Sequence, residues 1–247
     1  VDEGDAFMIP ALAQAALPRD ITLVDFLLNA ELWTRRDGIL DSLLDTVVLC
    51  SAVVATATLV AVPLAAWLAH HRIGEVSVAW IVTLSRAVPT LAVAALLVPF
   101  SLRAGYGFEP WPIFIGLLLL ALPQIYINTY TAITDVDKRV VGAARGMGLT
   151  ESAVLWQVEI ALAATVIMTS VRVAAVQVVA TEPLRAFLGG DGLGRYVRDG
   201  LGQNNTNQII GGTILIGLLA ASTAIVFRLA ERVVLPGGVA RLERSAT

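Results

Sequence analysis

Two arginines interrupt runs that are otherwise apolar, Arg86 within Val76–Leu102 and Arg172 within Ile160–Thr181. Counted along helices at 1.5 Å per residue, each lies roughly 15–20 Å from the end of its run. That depth is near the middle of a ~30 Å hydrocarbon layer. A charge there is costly unless it meets a partner or water, so both are candidates for function. In one reading they bond backbone carbonyls or Glu182 and fix helix packing. In the other, one of them faces a transport path and recognises a solute of opposite charge.

Bond-making chemistry is absent from the sequence. No G-x-x-x-x-G-K-[ST] segment occurs, and the only lysine, Lys138, is not preceded by glycine. The chain therefore has no P-loop for ATP. His70 and His71 are adjacent and point to different helix faces, which disfavours a metal site and makes them interfacial residues. Cys50, the single cysteine, has no partner for an intramolecular disulfide and reads as a small packing residue. Gly189-Gly190-Asp191-Gly192-Leu193-Gly194 lacks the strand and helix that a phosphate-binding glycine loop needs, and is expected to be a flexible external turn.

The elements that must position these residues are membrane helices. The 247 residues are 57% hydrophobic and 15% charged, with a mean hydropathy of +0.77, beyond a soluble mixture. Five runs approach or exceed the ~20 residues a spanning helix requires: Thr46–Ala69, Val76–Leu102, Pro110–Ile133, Ile160–Thr181 and Gln208–Phe227. Trp67, Trp111 and Trp156 fall near the expected interfaces and fit an anchoring belt. Prolines 63, 89, 99 and 123 are placed to kink or loosen helices.

The first 45 residues differ, with nine Asp or Glu against three Arg. Their apolar runs, Phe7–Leu17 and Ile21–Leu28, are too short to cross. Ile21, Val24, Leu27, Leu28 and Leu32 share one helical face, which predicts an amphipathic helix on the membrane surface. The acidic start disfavours a cleaved signal peptide.

Between the third and fourth runs lies a short polar segment, Asp137-Lys138-Arg139-Val140-Val141-Gly142-Ala143-Ala144-Arg145-Gly146-Met147-Gly148. Asp137 can cap a helix from Lys138 to about Gly146. Ala143 and Ala144 offer a face with almost no side chain, Gly146 and Gly148 permit the turn that ends it, and Thr150 can cap the next helix.

With its continuation through Ile160, this segment resembles the "EAA" loop that ABC-importer permeases present to their ATPase. Ala143, Ala144 and Gly148 match the pattern, and Val158 and Ile160 stand conservatively for its Ile and Leu. Gly142 replaces the motif's glutamate and Ala161 its proline, which bears on ATPase affinity or choice. The Gly192-Leu193-Gly194-Arg195-Tyr196 segment resembles the external loop of the permeases for quaternary-amine osmoprotectants, namely glycine betaine, carnitine and choline. Leu32-Trp33 with Asp37-Gly38-Ile39, Arg86-Ala87-Val88-Pro89-Thr90 and Asn128-Thr129-Tyr130 resemble further parts of that subfamily. Asp191 and Glu182-Pro183 depart from it.

The resemblance, covering about residues 30–235, implies an all-α polytopic inner-membrane protein like a type I ABC-importer permease, with five core spans and a cytoplasmic coupling helix. It divides the chain into an acidic segment 1–45, a permease domain 46–231 with coupling loop 134–158 and external loop 186–206, and a tail 232–247. With that loop inside, the N-terminus is outside and the C-terminus inside; eight basic residues inside against seven outside leave orientation to the resemblance.

The implied partners are a cytoplasmic ABC ATPase dimer, a second permease subunit, identical or not, an extracytoplasmic binding protein and membrane lipid, with no nucleic acid. The chain itself binds no cofactor; ATP-Mg belongs to the ATPase. ATPase docking falls to Asp137, Lys138, Arg139, Gly142, Ala143, Ala144, Arg145, Gly146 and Gly148. Binding-protein contact falls to Gly192, Gly194, Arg195 and Tyr196. Arg86, Arg172, Glu182, Tyr126 and Tyr130 are the pathway or gating candidates. One arginine could favour betaine or carnitine, which carry a carboxylate, over choline. Tyr126 and Tyr130, four apart, could stack on a trimethylammonium group or simply pack. An importer for another solute such as an amino acid, and an ATP-independent transporter or channel, are the alternatives; the latter usually shows an internal repeat, and no convincing one is found.

Overall fold

The computed structural model describes residues 22–73, 89–107 and 110–234. Four helices among them are long and apolar enough to cross a membrane. In chain order the elements are α1 (Leu23–Leu28), α2 (Ala30–Thr34), α3 (Ile39–His70), α4 (Thr90–Arg103), α5 (Trp111–Thr134) and α6 (Lys138–Gly146). A single turn Glu151–Ala153 and a π turn Val154–Glu159 then lead into α7 (Ile160–Thr181). A 3₁₀ segment Glu182–Leu188, α8 (Gly194–Gln203) and α9 (Thr206–Val234) complete the described fold.

The first and fifth expected spans lie inside α3 and α9, the third lies in α5 from Trp111 onward, and α7 carries the bounds expected for the fourth. Of the second expected span, the structure describes the part from Pro89 onward; Arg86 and the residues around it lie outside the described residues.

The core is built mainly between α3, α5 and α7 from small side chains. Ala57, Ala61, Ala65 and Ala174 are fully buried alongside Val53, Leu117, Ile125 and Val178. In lipid, apolar side chains gain little by leaving the solvent, so close approach of backbones through alanine supplies the packing. The start of α3 meets the end of α7, where Thr46 donates to Glu182. The end of α3 meets the end of α5, where Arg72 donates to the Thr134 carbonyl. α3 and α5 therefore run alike and α7 runs against them, which closes the bundle at two distinct ends.

The N-terminal segment differs from the single helix expected. The segment is two short helices, broken where Asn29 ends α1 and caps α2 through its side chain. Its interior residues are Phe26 and Leu32, while Val24 and Leu28 are 62% and 77% exposed. Phe26 packs edge-on against Tyr196 of α8 at 5.5 Å and lies against Gly211 of α9. Phe26 thus joins the segment to α8 and α9, while Val24 and Leu28 of the expected stripe face outward.

Candidate functional site

The segment between α5 and α7 forms a compact knob at one end of the bundle. Asp137 caps α6 by accepting from the Arg139 amide at 2.8 Å and also pairs with the Arg139 guanidinium at 2.7 Å. These bonds hold its carboxyl below the usual range. Helix α6 ends where the Met147 amide returns to the Ala143 carbonyl, and Gly148 at φ +86° turns the chain away. A left-handed residue here is costly for any side chain with a Cβ, hence the glycine. Gly146 is the last helical residue rather than part of that left-handed turn. Thr150 caps the following turn by accepting from the Ala153 amide.

The two alanines of the knob have opposite roles, unlike the shared face expected. Ala144 is buried with Val136, Val141 and Val154, which seats α6 on the base of α7. Gly142, Ala143, Arg145, Gly146 and Gly148 are exposed, as are Lys138 and Arg139. Two apolar side chains stand among them, Val140 at 44% and Met147 at 76% exposure. The outer surface is thus a nearly side-chain-free strip, with basic residues at its start and a methionine at its end. It suits close approach of another protein's backbone.

At the other end, the glycine-rich segment is a packed part of the fold and not the flexible turn expected. Gly192 adopts φ +89°, and a Cβ there would stand 2.8 Å from both Glu182 Oε1 and Thr46 Oγ1. Leu193, fully buried, donates its amide to Thr46 Oγ1 at 3.1 Å. Beneath the turn, Arg185 at 1% exposure donates to Asp45, to the Asp191 carbonyl at 3.0 Å and toward Glu182 at 3.3 Å. Charges buried this deeply persist only when paired and hydrogen-bonded. Arg185 was not among the candidates, although its position three residues after Glu182 in a helical segment is the signal that could have found it.

Gly192, Gly194 and Tyr196 are all buried, whereas Phe187, Asp191 and Leu201 near them are exposed. Arg195 is half-buried and bonds the Asp37 carbonyl while lying over the Tyr196 ring.

The intramembrane candidates are also engaged within the chain. Arg172 pairs with Glu231 of α9 at 2.9 Å, not with Glu182. Glu182 is fully buried in the Arg185 cluster. Tyr126 and Tyr130 stack at 6.3 Å between ring centroids and are 2% and 4% exposed. Arg86 lies outside the described residues. An apolar groove of about 660 Å³ runs along α3, α7 and α9, bordered by Cys50, Val54, Thr58, Val171, Leu219 and Phe227.

His70 is the main surprise. Its Nδ1 lies 2.6 Å from Glu159 Oε2 and its Nε2 lies 3.1 Å from Glu151 Oε2, with the side chain 5% exposed. Glu151 in turn takes two bonds of 2.9 Å from Arg145. Adjacency to His71 concealed this, because only the fold brings residues 70, 151 and 159 together. Among the described residues no group of His, Cys, Asp or Glu is arranged to hold a metal.

Known proteins share this arrangement of elements. Residues 61–237 match the family described as the binding-protein-dependent transport system inner membrane component. The choline transport system permease protein OpuBB of Bacillus subtilis (strain 168) is 34% identical over 75% of this chain and 83% of its own length. The glycine betaine/carnitine/choline transport system permease protein OpuCB of the same organism is 32% identical over 73% and 81%. In structure, a chain of the MetNI methionine ABC transporter in an inward-facing conformation aligns with a TM-score of 0.66. That alignment has 17% identity and covers 77% of this chain and 93% of the other, so it establishes likeness of fold.

Proposed function

As this chain belongs to the family of binding-protein-dependent transport system inner membrane components, a multi-pass protein of the bacterial inner membrane, we propose that it is the permease subunit of an ATP-driven importer for quaternary-amine osmoprotectants such as glycine betaine, carnitine or choline. The observation that carries the permease reading is the knob. A capped helix seated by Ala144 presents Gly142, Ala143 and Gly146 outward, on the cytoplasmic side in this reading. The substrate class is supported by the relatives whose names specify choline and glycine betaine, carnitine or choline. Membership of this family sets aside the ATP-independent transporter. An importer for another small solute is the remaining rival.

Two ATPase subunits grip α6 and its counterpart on a second permease chain, identical or not. ATP-Mg is bound and hydrolysed by those partners, with no cofactor on this chain. A binding protein delivers the solute to the opposite end, at the exposed residues of 184–203. Closure of the ATPases moves the knob as a rigid body, and the bundle switches between outward-open and inward-open arrangements. Arg172, Glu182, Tyr126 and Tyr130 act in this scheme as internal packing, since each already has a partner or a buried place in the chain.

Uptake of radiolabelled glycine betaine into proteoliposomes holding this chain with its ATPase and binding protein tests the reading. ATP-dependent uptake competed by carnitine or choline is the expected result. ATP-dependent transport that ignores quaternary amines would remove the substrate class, and uptake indifferent to ATP would remove the coupling role.

A further inference from the structure

The end of α3 holds the knob on both of its flanks. Ahead of α6, Arg72 at φ +55° donates to the Thr134 carbonyl, the last residue of α5, at 3.0 Å. Behind α6, His70 bridges Glu151 and Glu159. Glu151 carries the connection onward to Arg145 in the last turn of α6 through a two-point ion pair. Arg145, Glu151, His70 and Glu159 thus form a continuous polar chain from the coupling helix to the end of the first long span and the base of α7.

The π turn makes the double contact possible. Glu151 and Glu159 are eight positions apart, which at about 100° per residue would leave them roughly 80° apart on a regular helix. One residue absorbed by the π turn Val154–Glu159 brings them to within about 20° of one face. Glu159, 3% exposed, then points inward to meet the ring. The ring has carboxylate oxygens at both nitrogens and donates to both only as the imidazolium. In that form the four side chains carry two positive and two negative charges. Arg72, Lys138, Val141 and Arg145 border the same polar recess, and His71 lies 5.2 Å from His70 ring to ring.

Resting on the permease reading above, we propose that His70 is a positioning residue for coupling: through Glu151 and Glu159 it makes the first long span move with the ATPase-docking helix. Without this link α6 is tied directly to α5 and α7 by the chain, whereas the end of α3 reaches the knob only through the single Arg72–Thr134 bond and through apolar side chains that can slide. The link gives α3 a directional hold on a knob whose sequence lacks the motif's glutamate, Gly142 standing in its place.

The test compares wild type, Glu151→Gln, His70→Gln and His70→Ala, each with its ATPase and binding protein in proteoliposomes, by ATP hydrolysed per glycine betaine imported. ATPase co-purification is measured alongside. Glu151→Gln and His70→Ala are expected to retain the ATPase and to hydrolyse roughly tenfold more ATP per solute imported. His70→Gln, which keeps one donor for Glu159, falls between them and wild type. A wild-type ratio in Glu151→Gln overturns the proposal, and so does loss of the ATPase, which would make Glu151 part of the docking contact itself. Should His70→Ala fail to insert, Glu151→Gln still decides, because that side chain is 60% exposed. ATP-independent uptake by the wild-type complex would instead mark failure of the underlying permease reading.

Discussion

Arg172 of α7 and Glu231 of α9 form an ion pair of 2.9 Å, with side chains 26% and 14% exposed. The pair joins two helices that are distant in sequence and neutralises a cation placed deep along a span. Its closeness favours the packing role over recognition of a solute carboxylate, since a solute would first have to displace Glu231. Arg172→Gln is expected to lower stability in detergent by roughly 1–3 kcal/mol, the cost of leaving a partly buried carboxylate without its partner. The betaine-to-choline preference should stay at the wild-type value. Thermal unfolding of the purified complex and competition uptake check the two parts, and a changed preference would restore the pathway role.

The Arg185 cluster is expected to be more sensitive, because Glu182 and Arg185 are 0% and 1% exposed. Arg185→Met removes the partner of two carboxylates, Asp45 and Glu182. Breaking a buried pair in this way costs about 3–5 kcal/mol. The double variant Glu182→Gln with Arg185→Met should recover part of that loss, as measured by intrinsic fluorescence during heating. Equal instability of the single and double variants would show that shape, and not charge, governs the site.

Gly148 is exposed at φ +86°, with no atom within 4 Å of the position a Cβ would take. Gly148→Trp therefore meets no internal clash and adds bulk to the outer strip, at the strain of a left-handed residue, about 1–2 kcal/mol. Membrane insertion should survive, while ATPase co-purification falls or hydrolysis loses its dependence on solute. Normal coupling in this variant would place the ATPase contact elsewhere.

Asp137 gives a pH-dependent expectation. Its folded carboxyl is held below the usual range by Arg139, so its cap contributes above the unfolded value and is lost as pH falls through the lowered folded value. The protection of amide 139 against hydrogen exchange, taken relative to its intrinsic rate at each pH, should hold at neutral and mildly acidic pH and fall only in stronger acid. Asp137→Ala should lack that protection already at pH 7, without the acid step.

Periodicity and punctuation were enough for the helices and the knob. The long apolar runs at 46–69, 160–181 and 208–227 each lie within a long helix, the run at 110–133 does so from Trp111 onward, and Asp137, Gly148 and Thr150 act through local backbone rules that a sequence states directly. The same local rules expected one helix where the Asn29 cap divides the segment into two, and did not foresee that Phe26 and Leu32 pack inward, because a residue's side of a short helix depends on what it packs against.

By itself, then, the sequence determined the solvent the protein lives in, the order of its long apolar helices and the short capped helix Lys138–Gly146 among them. Those properties follow from hydropathy and capping, which act over a turn or two of chain. Only the tertiary structure decided that Arg172 meets Glu231, that Glu182 and Arg185 share a sealed site beneath Gly192, and that His70 meets Glu151 and Glu159. Each pairing joins elements through the geometry of the closed bundle, and in the last case through a single π turn that changes which way a glutamate faces.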